Sequence, residues 1–230
     1  MPAACDISGA CDMSARGDVP GAGAAWTWHG GRVTARPLLL LDVDGVLNAF
    51  GAWERRDSSL PLAPGNLVVP EGFRAARADG YHLLLREEHA DWVEVLGRRF
   101  DMVWATMWQG RAPVGLAPVV GYGASWPWIP FDDHQSFTTT QRTGWGIGSY
   151  KFPGVVATVG DRPAVWIDDD LEPAIYEWAA ERDSSGIPTL LVQPDPAEGW
   201  TRAEYEAVLA FADSLEDGPG SEPPGGWVVA

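Results

Sequence analysis

Residues 38–48, LLLLDVDGVLN, constrain what this chain can fold into more than any other stretch of its 230 residues. Four consecutive leucines, Leu38–Leu41, follow Arg36-Pro37 and stop at an aspartate. A short unbroken apolar run of this kind suits a strand buried on both faces, which is the situation inside a parallel sheet flanked by helices. In an extended strand end Asp42 and Asp44 point to one side, and Gly45 lets the chain turn sharply. Taken alone, the pattern also suits a strand running into an ordinary polar turn. A calcium loop of the EF-hand type fails on spacing, because with Gly45 sixth the twelfth position is Gly51 where a glutamate is needed.

The remainder of the chain repeats the alternation. Residues 81–85 and 102–105 read as strands, with a helix over 87–99 that opens on acidic residues and closes on Arg98-Arg99. Ala164–Ile167 is a third apolar strand, running into Asp168-Asp169-Asp170. A helix over 172–182, a strand at Thr189–Val192 and a last helix follow. Thr201 and Glu204 have capping-box spacing at the start of that last helix, whose core side carries Tyr205, Val208, Leu209 and Ala212. Strands alternating with helices predict an α/β, Rossmann-like parallel sheet with helices on both faces, small inserts and no large cap domain. The segmentation is a leader over 1–35 rich in Gly, Ala and Asp, one domain over 36–216, and a disordered acidic tail over 217–230. The inserts fall at about 48–80, where Val68 and Val69 are candidates for a small strand, and at 109–150, where residues 118–120 are another.

Charge and cysteine content narrow the function classes. The net charge of −16 favours solubility and opposes autonomous binding to nucleic acid or anionic lipid. Cys5 and Cys11, the only cysteines, make neither a disulfide framework nor a zinc set. The first 30 residues lack the pattern of a secretion signal, and no apolar run approaches the ~20 residues that span a bilayer. A cytoplasmic protein with no membrane partner is the expectation. An anionic substrate would be repelled at long range, so its site must supply positive charge. The single lysine, Lys151, stands out here: it is either the survivor of a coding bias toward arginine or a residue kept for its ammonium.

Ligands of open parallel sheets sit beyond the carboxyl ends of the strands. Three predicted strands end there in polar residues: Asp42 and Asp44, then Thr106, then Asp168 and Asp169. Carboxylates gathered on one rim give an oxygen-rich site suited to Mg²⁺. On these residues the chain resembles the haloacid dehalogenase superfamily. LLLLDVDGVLN is similar to that family's first motif, Thr106 after Met102-Val103-Trp104-Ala105 to its second, Lys151 to its third, and Val165-Trp166-Ile167-Asp168-Asp169 to its fourth. Within the superfamily the chain is most similar to the domains grouped with the Swiss Army Knife RNA-repair proteins, on DVDGVLN, VWATMW and WIDDD.

The resemblance implies a phosphatase. Asp42 attacks phosphorus and forms an aspartyl-phosphate, and Asp44 gives and takes the proton. Thr106 and Lys151 hold the phosphoryl oxygens. Mg²⁺ is held by Asp42, by Asp44 through its carbonyl, by Asp168 and with help from Asp169. Asp44 also separates this chain from dehalogenase members, which lack that carboxylate, and from transport ATPases, which carry Thr there. The implied substrate is a phosphorylated small molecule or nucleotide. Two alternatives are a polynucleotide end-healing phosphatase and a catalytically silent binding module. Among the other polar and aromatic residues, His82 and His89 read as surface groups flanking the first helix, His89 with a path to the rim. His134 beside Asp132-Asp133 is a candidate second metal site. Trp126, Trp128 and Trp145 are either insert packing or a stacking platform. Arg55-Arg56 is either solvated or a contact for a second phosphate. Gly144 to Gly148 lacks the spacing of a nucleotide loop.

Overall fold

The computed structural model describes residues 35–53, 69–131, 148–216 and 228–229. The expectations placed on Cys5, Cys11, Arg55, Arg56, Val68, Asp132, Asp133, His134, Gly144 and Trp145 lie outside the described residues.

Four parallel strands form the centre: β1 (Leu38–Leu41), β4 (Asp101–Trp104), β5 (Ala164–Ile167) and β6 (Thr189–Val192), in spatial order β4-β1-β5-β6. Between β1 and β4 the chain makes an antiparallel hairpin, β2 (Phe73–Ala78) and β3 (Tyr81–Arg86), that stays apart from this sheet. The register is in step across the centre, with Leu41 beside both Trp104 and Ile167, and Ile167 beside Val192. Every strand therefore ends at the same level. Val228–Val229 add a two-residue parallel strand, β7, beside β6, inside the stretch read as a disordered tail.

The five helices among the described residues are α1 (His89–Gly97), α2 (Ala117–Val120), α3 (Gly148–Val159), α4 (Pro173–Ser184) and α5 (Arg202–Glu216). Alternate strand residues face opposite sides, and the four leucines of β1 divide accordingly. Leu39 and Leu41 enter a core with Trp92 and Leu96 of α1 and Val208 and Phe211 of α5. Leu38 and Leu40 enter a second core with Val155 and Val159 of α3 and Ile175 and Ala179 of α4. Burying each leucine contributes about 1.5–3 kcal/mol, which is why β1 is central and both its faces are roofed. No helix among the described residues is long and apolar enough to cross a membrane.

Three local expectations are corrected. Residues 118–120 are helical, within α2, and follow a wider π-helical turn over Ala112–Leu116 closed by Ala117 N–H donating to the Ala112 carbonyl. Pro118 has no N–H for a regular α turn, which the wider turn accommodates, and Gly121, left-handed at φ 90°, ends the segment. Val69 is not in a strand; β2 begins at Phe73, and its register is set by the tight turn at Asp79-Gly80, where φ is 48° and 87°.

His89 is the third correction. It is buried, its ring 5.3 Å from that of Trp92 and 5.7 Å from that of Trp200, and Nε2–H donates to the Trp200 carbonyl at 2.8 Å. Burial lowers its pKa from the ordinary 6.5 to about 4, helped by Arg86 and resisted by the hydrogen bond to the Trp200 carbonyl and by Glu88. The unfolded chain therefore takes up a proton near pH 6.5 that the folded chain refuses until about pH 4. The stability tied to neutral His89 is present above 6.5 and is lost as pH falls through that window, by about 3 kcal/mol in all. Denaturant unfolding of wild type and His89→Gln at pH 7 and pH 4.5 checks this. The wild type should lose stability relative to the variant on acidification; parallel losses would contradict it.

Candidate functional site

The order β4-β1-β5-β6 contains a reversal. From β1 the chain passes under α1 to β4 on one side, and from β5 it passes by α4 to β6 on the other, with α1 and α4 on opposite faces. The loops after β1 and β5 consequently diverge and leave a crevice at the strand ends. Asp42 is the first residue past β1, and Asp168 and Asp169 are the first past β5. Asp42 N–H donates to the Ile167 carbonyl at 3.0 Å, so the two strand ends are locked side by side up to the acidic residues themselves.

Asp42, Asp168 and Asp169 each offer a carboxylate oxygen within 4.8 Å of the others, and this group could hold a metal ion. Lys151, in the first turns of α3, lies against it. Its ammonium donates to Asp42 Oδ2 at 2.5 Å and to Asp168 Oδ2 at 2.7 Å, and the residue is only 2% exposed. Further donors hold the carboxylates in place: Val43 N–H to Asp42 Oδ1 at 2.7 Å, Asp170 N–H to Asp168 Oδ1 at 3.1 Å, and the Trp166 indole N–H to Asp168 Oδ2 at 3.2 Å. Gly45 is required where it stands. Its φ is 80°, and a Cβ there would lie 2.2 Å from Asp169 Cγ, so only glycine lets the turn pack against that carboxylate.

The electrostatics leave an unmet demand for positive charge. Burial pushes the Asp168 carboxyl up against the pull of Lys151, with Asp42 adding to the push. Burial and the Asp42 charge push Asp169 up to about 7, Lys151 again opposing. Burial alone would lower the Lys151 pKa, but the Asp168 and Asp42 carboxylates outweigh it and raise it. One ammonium thus faces three carboxylates, and the excess is met either by protons or by a cation. Hard oxygen donors gathered this closely are the donor set that divalent Mg²⁺ or Ca²⁺ prefers.

Thr106 is buried two residues beyond β4, at the same end of the sheet; Ala105 N–H donates to the Leu41 carbonyl, and Thr106 Oγ1 accepts from Trp108 N–H at 3.3 Å. Asp44 stands apart from the three-carboxylate group. Its Oδ1 accepts from Asn48 Nδ2 at 2.8 Å and its Oδ2 from the Trp108 indole N–H at 3.0 Å. Asn48, Trp108 and Trp166 were not singled out from sequence, although all three sit inside the motifs quoted, in DVDGVLN, VWATMW and VWIDD. Trp126 packs on Trp104 with ring centroids 4.8 Å apart, and Trp128 backbone-pairs with Trp104, so both tie the insert to the β4 edge. Compared with family models, with curated proteins and with solved structures, the chain matches none of them.

Proposed function

We propose that this chain is a Mg²⁺-dependent phosphomonoester hydrolase of the haloacid dehalogenase type. The observation that carries the reading is the meeting of Asp42 from β1 with Asp168 and Asp169 from β5 around the buried ammonium of Lys151, at the reversal point of a parallel sheet. An acid-rich strand end alone is common; a nucleophile, a cation-holding set and a fixed ammonium converging from three distant segments are not.

Asp42 Oδ attacks phosphorus and forms the aspartyl-phosphate, which divides one difficult hydrolysis into two easier displacements. Lys151 holds Asp42 in place and, with the Thr106 hydroxyl, offers donors to the phosphoryl oxygens as their charge develops. Asp44 donates the proton to the departing oxygen and later accepts one from the attacking water. Asp42, Asp168 and Asp169 would hold the metal ion, whose charge offsets that of nucleophile and phosphate.

The test is a phosphate-release assay on the full chain with an aryl phosphate, sugar phosphates, nucleotides and a 3′-phosphorylated oligonucleotide. With Mg²⁺ at least one ester should turn over, and chelation should slow it by at least about 100-fold. No release from any ester, or release unaffected by chelation, would sink the reading.

A further inference from the structure

Asp44 is held differently from the other acidic residues of the rim, by one donor from its own turn, Asn48, and one from a distant segment, Trp108. Each of its carboxylate oxygens accepts one N–H, from Asn48 at 2.8 Å and from the Trp108 indole at 3.0 Å. Each donor is in turn fixed by the β2–β3 hairpin. Asn48 Oδ1 accepts Leu84 N–H at 2.9 Å, and the next residue, Ala49, donates its N–H to the Leu84 carbonyl at 3.0 Å. Trp108 is 4% exposed and meets Tyr81, the first residue of β3, edge to face at 5.4 Å between ring centroids. Arg111 lies near both rings, 5.6 Å from that of Trp108 and 5.9 Å from that of Tyr81. A carboxylate oxygen has two lone-pair positions, so one donor on each oxygen fixes the plane of the group and leaves a position free to carry a proton.

We propose that Trp108 and Asn48 are positioning residues for Asp44, braced by the hairpin, that keep its carboxylate apart from the Asp42, Asp168 and Asp169 group and aimed at the leaving oxygen. The inference rests on the phosphatase reading. In the first step Asp42 Oδ bonds to phosphorus as the ester P–O bond breaks; the electron pair of that bond goes to the departing oxygen, which takes the Asp44 proton and leaves as the alcohol. In the second, water oxygen bonds to phosphorus as the Asp42 O–P bond breaks; Asp44 takes a proton from that water, phosphate is released, and both aspartates return to their starting forms. A loosened Asp44 carboxylate would be drawn toward the Lys151 ammonium and away from the proton path.

Leaving-group dependence tests this. A nitrophenolate departs without needing a proton, whereas an alkoxide does not, so only alkyl esters depend on a well-aimed acid. Trp108→Phe keeps the ring packing on Tyr81 and deletes the N–H. Its kcat/KM, which reports only the steps up to departure of the leaving group, should fall about 30-fold on an alkyl phosphate and less than about threefold on 4-nitrophenyl phosphate. Equal losses on the two esters, or none, would overturn the positioning role while leaving the phosphatase reading intact. Absence of turnover in the wild type would remove both together. Should Trp108→Phe not fold, Tyr81→Leu carries the same comparison at a position that is 55% exposed. It should lose activity selectively on the alkyl ester, and an equal loss or no loss there would overturn the brace.

Discussion

Replacing Asp42 with Asn is expected to lower kcat for an aryl phosphate at least about a thousandfold while leaving a folded protein. The amide is nearly the shape of the carboxylate but is a poor nucleophile toward phosphorus. Folding should be affected little, because two changes oppose each other. Asn keeps an oxygen for Val43 N–H, at present 2.7 Å from Asp42 Oδ1, but then turns its NH₂ toward the Lys151 ammonium, 2.5 Å from Oδ2. That loss is offset by removing one of three crowded carboxylates, which lets the Asp169 carboxyl fall from about 7 toward its ordinary value. A net change within about 2 kcal/mol is expected. Paired measurements of kcat and of denaturant unfolding check both halves. A folded variant retaining more than about a tenth of wild-type turnover would remove Asp42 as the nucleophile.

The features legible in the sequence are those decided by local pattern. Leu38–Leu41 announced a strand with two buried faces because the alternation needs only four residues, and both cores receive their share of it. Thr201 and Glu204 announced the start of α5, where Glu204 Oε2 accepts the Thr201 N–H at 2.6 Å. Phe73–Ala78 was not legible as a strand, since Arg74 and Arg77 look like loop charges until their place is seen in a two-stranded ribbon whose other strand buries Leu83, Leu84 and Leu85. What was not legible depends on partners far away in the chain. His89 sits at a helix start, a surface address by local rules, and is buried because Trp92 and Trp200 close around it. The orientation of Asp44 is set by Trp108, 64 residues on, and strand-end geometry alone gives no hint of it. Asp42, Asp168, Asp169 and Lys151 were legible as residue types in order; that the lysine bridges two of the aspartates required the packing of α3 against the sheet.

The bridge makes Lys151→Met the strongest test of how the site is held together. Methionine fills nearly the same volume without charge, so three carboxylates would face one another with no cation within reach. Removing one partner of a buried ion pair costs about 3–5 kcal/mol, because the charge left behind has neither water nor a counterion. The sign of the pH dependence follows from the carboxylates. In the wild type the Asp169 carboxyl, raised to about 7, already binds its proton more tightly folded than unfolded, where the ordinary value is 3.8. A raised carboxylate penalises the folded state fully above its folded pKa, and the penalty fades as pH falls toward 3.8. Without Lys151, which pulls both Asp168 and Asp169 down, their pKa values rise further and the penalty deepens. Lys151→Met should therefore lose most relative to wild type at pH 8 and above, and should recover as pH falls to about 7, below which the Asp169 carboxyl holds its proton in both folded proteins. Mg²⁺ at pH 8 should restore part of the loss by supplying the missing charge. Arg should not substitute fully, because a planar fork with five donors to satisfy would replace the compact ammonium of a lysine that is only 2% exposed. Thermal unfolding across pH, with and without Mg²⁺, measures each of these. A variant as stable as wild type at pH 8 would mean that the ammonium does not hold the acidic group together, and a loss indifferent to pH would mean that the defect is one of packing and not of charge.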